Sequence, residues 1–442
     1  MRKLLAIIVC KVLRLVGKLV GKGSSLPGKY ALKICPNILS LVKLPENVIA
    51  VTGSNGKTST VEMIASILRK SGKEVIYNAE GSNQIEGVTT LILTNCTLSG
   101  KMRGDVLLLE SDERYARHSF RYFHPTHFVI TNLYRDQLTR NGHSESVFDA
   151  ILPAIHKDTT LVLNADDPLV ASFAKDHDNV KWFGLDRCSV SSDKHSGVYH
   201  DGARCPICKG KMTYSCYHYE HIGHYRCESC GHHRAETDFA VTELDLAAGR
   251  LVLDGSNEIS LAFRSIYNVY NILAAWSVCS LAGVEKNTIA RVISNYILKN
   301  GRMVRFTLGK HRGTLLTSKH ENSVAYNTNL GYIRTMGSEC SVLIIVDAIS
   351  RKYFTGETSW LWDINFDLLN CETVQNVILC GKYVNDLAMR FDYSSVAPDK
   401  IRCFDTVAEA ADHLKANGSE DLYVVTCFSD RDKLLTLTEK EV

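Results

Sequence analysis

The stretch Thr52-Gly53-Ser54-Asn55-Gly56-Lys57-Thr58-Ser59-Thr60 constrains this chain more than any other, because of what stands on either side of it. Upstream, Val48-Ile49-Ala50-Val51 is an unbroken apolar run of the kind buried on both faces of a parallel sheet. Downstream, Val61 to Leu68 repeats apolar residues at helical spacing. Strand, glycine loop and helix in succession commit this part of the chain to an α/β layer. Within the loop, Gly53 and Gly56 let the backbone approach an anion, and the amides that open the helix face it. Lys57 brings charge to the terminal phosphates of a nucleotide, and Thr58 brings a hydroxyl for magnesium. Thr52, Asn55 and Ser59 complete the expected cradle. The general pattern puts four residues between its glycines; here only Ser54 and Asn55 lie there, so the loop is a shortened variant. An ordinary turn that happens to carry Gly-Lys-Thr is the competing reading, and the flanking strand and helix weigh against it.

Three further strands end in polar motifs. Leu107-Leu108-Leu109-Glu110-Ser111-Asp112-Glu113 closes in acids, and magnesium bound to phosphates needs hard oxygen ligands of that kind. His127 to Asn132 leads into Leu133-Tyr134-Arg135-Asp136-Gln137-Leu138, and Leu161 to Asn164 leads into Ala165-Asp166-Asp167-Pro168. Taken in this order with the loop, the four motifs resemble the Mur ligase superfamily, whose members use ATP to join amines to carboxylates through an acyl phosphate. The resemblance implies that Glu110, or failing it Glu113, holds magnesium.

Cys205-Pro206-Ile207-Cys208 and Cys227-Glu228-Ser229-Cys230 form two Cys-x-x-Cys knuckles with 18 residues between them. Four thiolates at that spacing close a tetrahedral shell, so the expectation is one structural zinc ion with no open position. Gly210 and Gly231 follow the knuckles, where turns favour positive φ. Cys216, His218, His221, His224, His232 and His233 read as surface or hairpin residues. A redox dithiol needs only one such pair. All fifteen cysteines are scattered without a pairing framework, which suits a reducing cytosol.

A cysteine ribbon within such an ATPase domain resembles the MurT-type branch, the synthetase subunits of lipid II isoglutaminyl synthases. Ser25-Leu26-Pro27-Gly28, the Asn132 to Leu138 motif and Tyr267-Asn268-Val269-Tyr270-Asn271 carry that resemblance along most of the chain. It implies ATP, magnesium and zinc as cofactors, with Asn268 and Asn271 at the helix facing adenine. It also implies that Arg302 or Arg305, at an interdomain junction, reaches the phosphates, and that Lys319 keeps a family position. ATP and substrate are expected between two α/β domains, whose closure excludes water. The implied reaction amidates the α-carboxylate of D-glutamate in lipid II. The ammonia would come from a second chain, a GatD-like glutamine amidotransferase, since none of the cysteines here sits in a Gly-x-Cys-x-Gly elbow.

The fold expectation is thus α/β in three parts. Residues 1–44 are an N-terminal basic and apolar helical segment. Residues 45–298 are a Mur-ligase-like P-loop ATPase domain with the ribbon inserted at 200–235. Residues 299–442 are a Rossmann-like C-terminal domain, alternating strands (Thr314 to Ser318, Ser341 to Asp347, Val377 to Cys380, Ile401 to Phe404, Leu422 to Cys427) with helices. In the first part, Lys11 and Arg14 interrupt the apolar run before it reaches membrane-spanning length, and no small-residue cleavage site follows. Spacing favours a helix packed on the ATPase domain; the alternative is a helix on the inner leaflet beside a lipid-linked substrate. A net charge of +3 makes no case for nucleic acid.

The C-terminal motifs depart from the MurT pattern. The family's Lys-Asn-Pro-Ala-Gly reads Lys319-His320-Glu321-Asn322-Ser323, and its Asp-x-Ser-Trp-x-Trp-Asp reads Glu357-Thr358-Ser359-Trp360-Leu361-Trp362-Asp363. In the family a carboxylate from this domain completes the partner's Cys-His site, so Glu357 and Asp363 are both candidates, with Glu357 preferred by position. Two rivals stay open at this point: a Mur-type amino-acid ligase, and a degenerate ATP-binding scaffold.

Overall fold

The computed structural model describes residues 1–19, 24–78, 81–136, 141–296, 303–319, 321–348 and 356–440. Arg302, Gln137, Leu138 and His320, named above, lie outside the described residues. The chain divides into two compact units. The first holds Met1–Tyr134, His143–Ser196 and His200–Ile297; the second holds Arg135–Gly142, Gly197–Tyr199 and Leu298–Val442.

The first unit is built on a nine-stranded sheet. Its strands are β1 (Asn47–Thr52), β2 (Val75–Tyr77), β3 (Val106–Glu110), β4 (His127–Ile130), β5 (Thr160–Asn164), β6 (Val180–Leu185), β9 (Phe239–Asp245), β10 (Arg250–Leu253) and β11 (Asn257–Ser260). Strands β7 (Met212–Tyr219) and β8 (Ile222–Cys227) form a separate two-stranded ribbon. The order in the large sheet is β11-β10-β9-β6-β5-β4-β1-β3-β2. From β2 to β9 every pairing is parallel, and β9, β10 and β11 add an antiparallel edge. The apolar runs behave as buried parallel strands should, with Val48 to Val51, Leu107 to Leu109 and Leu161 to Leu163 all at most 3% exposed. Strand β1 lies between β3 and β4, so the chain's direction of travel across the sheet reverses there. Ligand crevices form at the carboxyl ends of strands at such a reversal.

The helix Arg2–Leu19 packs into this core through Ala6, Ile7 and Cys10, all fully buried, and Lys11 Nζ donates to the Thr94 carbonyl at 2.7 Å. The Ser-Leu-Pro-Gly motif acquires a physical reason here. A Cβ on Gly28 would lie 1.9 Å from the Glu86 carbonyl oxygen, so glycine is needed where helix Leu26–Ile34 crosses helix Ile85–Thr94. Among the described residues no helix is long and apolar enough to cross a membrane.

The second unit is a seven-stranded sheet in the order β16-β15-β14-β17-β13-β12-β18. Its strands are β12 (Met303–Leu308), β13 (His311–Ser318), β14 (Cys340–Ile345), β15 (Val374–Cys380), β16 (Ile401–Phe404), β17 (Asp421–Cys427) and β18 (Glu439–Lys440). The five strands read from the sequence are all present, mutually parallel, with helices Val384–Asp392 and Val407–Asn417 between them. The segment read as a bare junction, Met303 to Phe306, is instead most of β12, an antiparallel hairpin with β13.

Candidate functional site

The glycine loop follows β1 directly and opens helix Lys57–Lys70. Gly53 has φ 133° and Gly56 φ 84°, in the left-handed region that glycine alone adopts without strain. Space forbids a side chain too: a Cβ on Gly56 would sit 2.0 Å from Asn271 Oδ1, and one on Gly53 2.2 Å from Thr131 Oγ1. The loop is clamped to the end of β4. Ser54 N–H donates to the Asn132 carbonyl and Asn55 N–H to Asn132 Oδ1, each at 2.9 Å, while Thr131 Oγ1 donates to the Asn55 carbonyl at 2.9 Å. Thr52 Oγ1 donates to the Ser111 carbonyl at 3.0 Å and ties the loop to the strand carrying the acids. Held this way, the loop leads into the N-terminus of the helix, the end of a helix that favours an anion. Thr58 is half-buried and Ser59 buried in that first turn.

Lys57 is buried and donates to the Gly53 carbonyl and to Glu113 Oε1, with a weaker contact to the Ser54 carbonyl at 3.3 Å. Burial pushes the Glu113 carboxyl above its ordinary range, while the Lys57 charge works against that rise. Glu110 ends β3 in register with Val51 of β1, one residue before the loop motif begins at Thr52. The two acids therefore divide: Glu113 is the counter-ion of the loop lysine, and Glu110 is buried with no ion pair among the described residues.

Asn271 lies on helix Ile266–Leu281 directly over Gly56 and accepts from Thr60 Oγ1 at 3.4 Å. Asn268, one turn earlier, turns its amide to the Phe263 carbonyl at 3.2 Å. In the second unit, Arg305 is exposed on β12 and lines a small cleft with Arg312 and Asp421, and Lys319 follows the last residue of β13.

The four ribbon cysteines converge. Cys205 and Cys230 sulfurs are 3.6 Å apart and those of Cys208 and Cys227 3.4 Å. Four thiolates around one zinc ion at 2.3 Å would stand about 3.8 Å apart, so the donor set fits. Backbone N–H groups of Cys230 and Ser229 point at Cys227 Sγ from 3.5 and 3.4 Å and lower that thiol to about 6. Gly231 has φ 77° as its knuckle requires, but at the first knuckle the left-handed residue is Lys209. Gly210 is needed for space instead, because a Cβ there would lie 2.4 Å from Ser229 Oγ. Of the two readings for Cys216, His218 and His221, surface or hairpin, the hairpin one holds: Cys216 and His218 lie on β7 and His221 in its turn, but all three are buried rather than at the surface, and His224 of β8 reaches the Leu185 carbonyl at the end of β6.

Within the second unit the two candidate carboxylates have opposite environments. Asp363 is buried and faces Arg135 Nη1 at 4.0 Å, and the Tyr199 ring stacks 4.1 Å from the Arg135 guanidinium. Glu357 is exposed, and the Ser359 N–H donating to Oε1 at 2.6 Å lowers its carboxyl below the ordinary range. Asp136, from the same motif as Arg135, accepts from Asn322 Nδ2 at 2.7 Å, and Asn322 caps helix Ser323–Thr335.

Asp166 and Asp167 escaped the sequence reading as more than a motif. Asp167 caps helix Pro168–Ala171 and accepts from Leu133 N–H at 2.9 Å. Asp166, fully buried, accepts from Arg234 Nε at 2.6 Å, Tyr270 Oη at 2.7 Å and Leu185 N–H at 2.7 Å. One carboxylate thereby ties β5, β6, the ribbon's exit and the Asn271 helix together. Only three-dimensional contact joins those partners, and no local pattern announces it.

Residues 51–225 match a family model described as the Mur ligase middle domain, and residues 320–430 match one described as MurT ligase C-terminal. The chain is similar to the lipid II isoglutaminyl synthase (glutamine-hydrolyzing) subunit MurT of Streptococcus pneumoniae (strain ATCC BAA-255 / R6), 29% identical over 418 residues, 93% of this chain and 91% of that protein. It is similar also to the protein of the same name from Staphylococcus aureus (strain COL), 28% identical over 400 residues, 90% of this chain and 89% of that one. A solved pseudomurein peptide ligase type C from Methanothermus fervidus superposes with a TM-score of 0.69 at 20% identity, covering 91% of this chain and 81% of that chain, a likeness of fold.

Proposed function

The chain belongs to the Mur ligase superfamily, with that family's middle domain joined to a MurT-type C-terminal domain, and on that premise we propose that it is the ATP-dependent synthetase subunit that amidates the α-carboxylate of D-glutamate in lipid II. The observation that carries the reading is the clamped loop, Gly53 to Thr58, at the start of helix Lys57–Lys70, in a chain whose second unit matches the MurT ligase C-terminal model over residues 320–430.

In this reading Thr52, Gly53, Asn55, Gly56 and Ser59 cradle the phosphates of ATP, and Asn268 and Asn271 lie on the adenine side. Lys57 moves from Glu113 to the terminal phosphate as nucleotide enters. Thr58 and Glu110 hold magnesium, whose chemistry is to neutralise charge between the phosphates. A carboxylate oxygen of the substrate attacks the γ-phosphorus and ADP leaves, giving an acyl phosphate. Ammonia then adds to the carbonyl carbon, loses a proton, and expels phosphate to leave D-isoglutamine. Arg305 and Lys319 belong to the unit expected to bring cationic groups to the transferring phosphoryl group. Cys205, Cys208, Cys227 and Cys230 hold zinc in a closed, structural role.

The ammonia comes from a GatD-like glutaminase chain, and Glu357 is the carboxylate offered to it, because Glu357 is exposed where Asp363 is committed to Arg135. The substrate's lipid anchor gives the N-terminal helix a second task. Leu4, Leu5, Ile8, Val12, Leu15 and Val16 form one exposed stripe opposite Ala6, Ile7 and Cys10, with exposed Arg2 at its edge. That combination suits the surface of an anionic bilayer on the cytoplasmic side.

The test is mass analysis of lipid II incubated with ATP, magnesium and either ammonium or glutamine plus the partner. Replacement of one carboxyl by a carboxamide supports the reading. Addition of an amino acid, or ATP binding with no product, overturns it.

A further inference from the structure

The ribbon hairpin carries a second cluster of metal-ligand type that the four-cysteine centre does not use. Cys216 stands opposite His224 in the β7–β8 ladder, and His218 is two residues further along β7. One sulfur and two imidazole nitrogens from these residues all lie within 4.8 Å of one another. The cluster sits mid-hairpin, whereas Cys227 pairs with Met212 at the open end, so the two cysteine sets are separate.

Independent observations point to an ion there. Cys216 is 1% and His218 6% exposed, so the thiol and the imidazole are both held out of water. His218 Nδ1 lies 3.0 Å from Ser191 Oγ, and its Nε2 is buried with no hydrogen-bond partner. A buried ring nitrogen left bare is costly, and a metal ion removes that cost. His224 Nε2 lies 2.9 Å from the Leu185 carbonyl, which can only accept. That nitrogen therefore carries the proton, and Nδ1 keeps its lone pair. A ligating histidine commonly donates its other N–H to a backbone carbonyl in this way.

We propose that Cys216, His218 and His224 form a second metal-binding site for a borderline-soft divalent ion, with zinc as the best match to one thiolate and two imidazoles. Three protein ligands leave a fourth position open, so this site binds more weakly than the closed four-thiolate centre. It staples the hairpin to the end of β6 through Leu185 and to the following loop through Ser191.

Titration of the full-length, metal-depleted protein with cobalt(II) tests this. The first equivalent should develop the intense thiolate charge-transfer absorption of the four-cysteine centre. A second equivalent should add a weaker, single-thiolate band. Cys216→Ser and His218→Gln should each abolish the second step and leave the first, while His233→Gln, at an exposed histidine, keeps both. Zinc content after loading should fall by one equivalent in the same two variants. Saturation of the wild-type protein at one equivalent, or a second step that survives both variants, overturns the proposal.

Discussion

Replacing Lys57 by methionine should both stop ATP turnover and destabilise the nucleotide-free protein, and the second effect should depend on pH. The Lys57 and Glu113 side chains are 6% and 5% exposed and form an ion pair, so the substitution strands a buried carboxylate. Breaking a buried pair from one side costs about 3–5 kcal/mol. Burial already pushes the Glu113 carboxyl up, against the opposing pull of Lys57. A carboxyl raised in the folded state favours folding most below its unfolded value of about 4.3 and loses that contribution as pH rises through the folded value. Without Lys57 the folded value climbs further. The deficit should therefore be full at about pH 8 and shrink towards about pH 5, as Glu113 takes a proton. What remains at low pH is the loss of the lysine's bonds to the loop carbonyls, about 1–2 kcal/mol. Urea unfolding, read by hydrogen exchange in the peptide Lys57–Lys70, measures it. Lys57→Met with Glu113→Gln removes both charges and should recover most of the stability but none of the turnover. Full stability of Lys57→Met at about pH 8, or a double variant no more stable than the single one, would refute the reasoning.

The remaining expectations concern neighbouring groups. Glu110→Ala should behave as a magnesium defect, its ATPase rate partly restored at high metal concentration; if Glu113→Ala shows that rescue and Glu110→Ala does not, the metal ligand is Glu113. Glu357→Gln should abolish glutamine-dependent amidation in the complex and spare the ammonium-dependent rate, since a Cys–His pair loses hydrolysis without a third group to orient the imidazole. Asp363→Asn, which loosens the Arg135 contact, should lower stability as well, and intact glutamine use in the Glu357 variant would move the role elsewhere. Leu5→Asp with Val12→Asp, on the exposed stripe, should cut co-sedimentation with anionic vesicles at least tenfold while leaving the melting temperature unchanged; equal binding by the variant would place the membrane contact off this helix.

How far these features could be read in advance follows from where their causes lie. The loop, its strand and its helix were legible because glycine spacing, the apolar run and the helical period are local and agree with one another. The second sheet was legible for the same reason, strand by strand. Strand β12 was missed because Met303-Val304-Arg305-Phe306 sets a half-buried pair beside an exposed arginine, which blurs the period. The division of labour between Glu110 and Glu113 was hidden, since it depends on which carboxylate meets Lys57 across a turn. The burial of Cys216 and His218 was hidden likewise: bulges between Tyr214 and Cys216 and between Tyr217 and Tyr219 shift which side chains face the core. Sequence alternation alone could not supply that register.

The central claim is that a carboxylate is activated as an acyl phosphate, from which ammonia then displaces phosphate, and isotope transfer tests it most directly. Lipid II labelled with oxygen-18 in the α-carboxylate of D-glutamate is incubated with the enzyme, ATP, magnesium and ammonium, and the released phosphate is analysed by mass spectrometry. Attack of that carboxylate on the γ-phosphorus predicts one labelled oxygen in each phosphate formed, in step with amide. Amide formation with unlabelled phosphate would contradict the account.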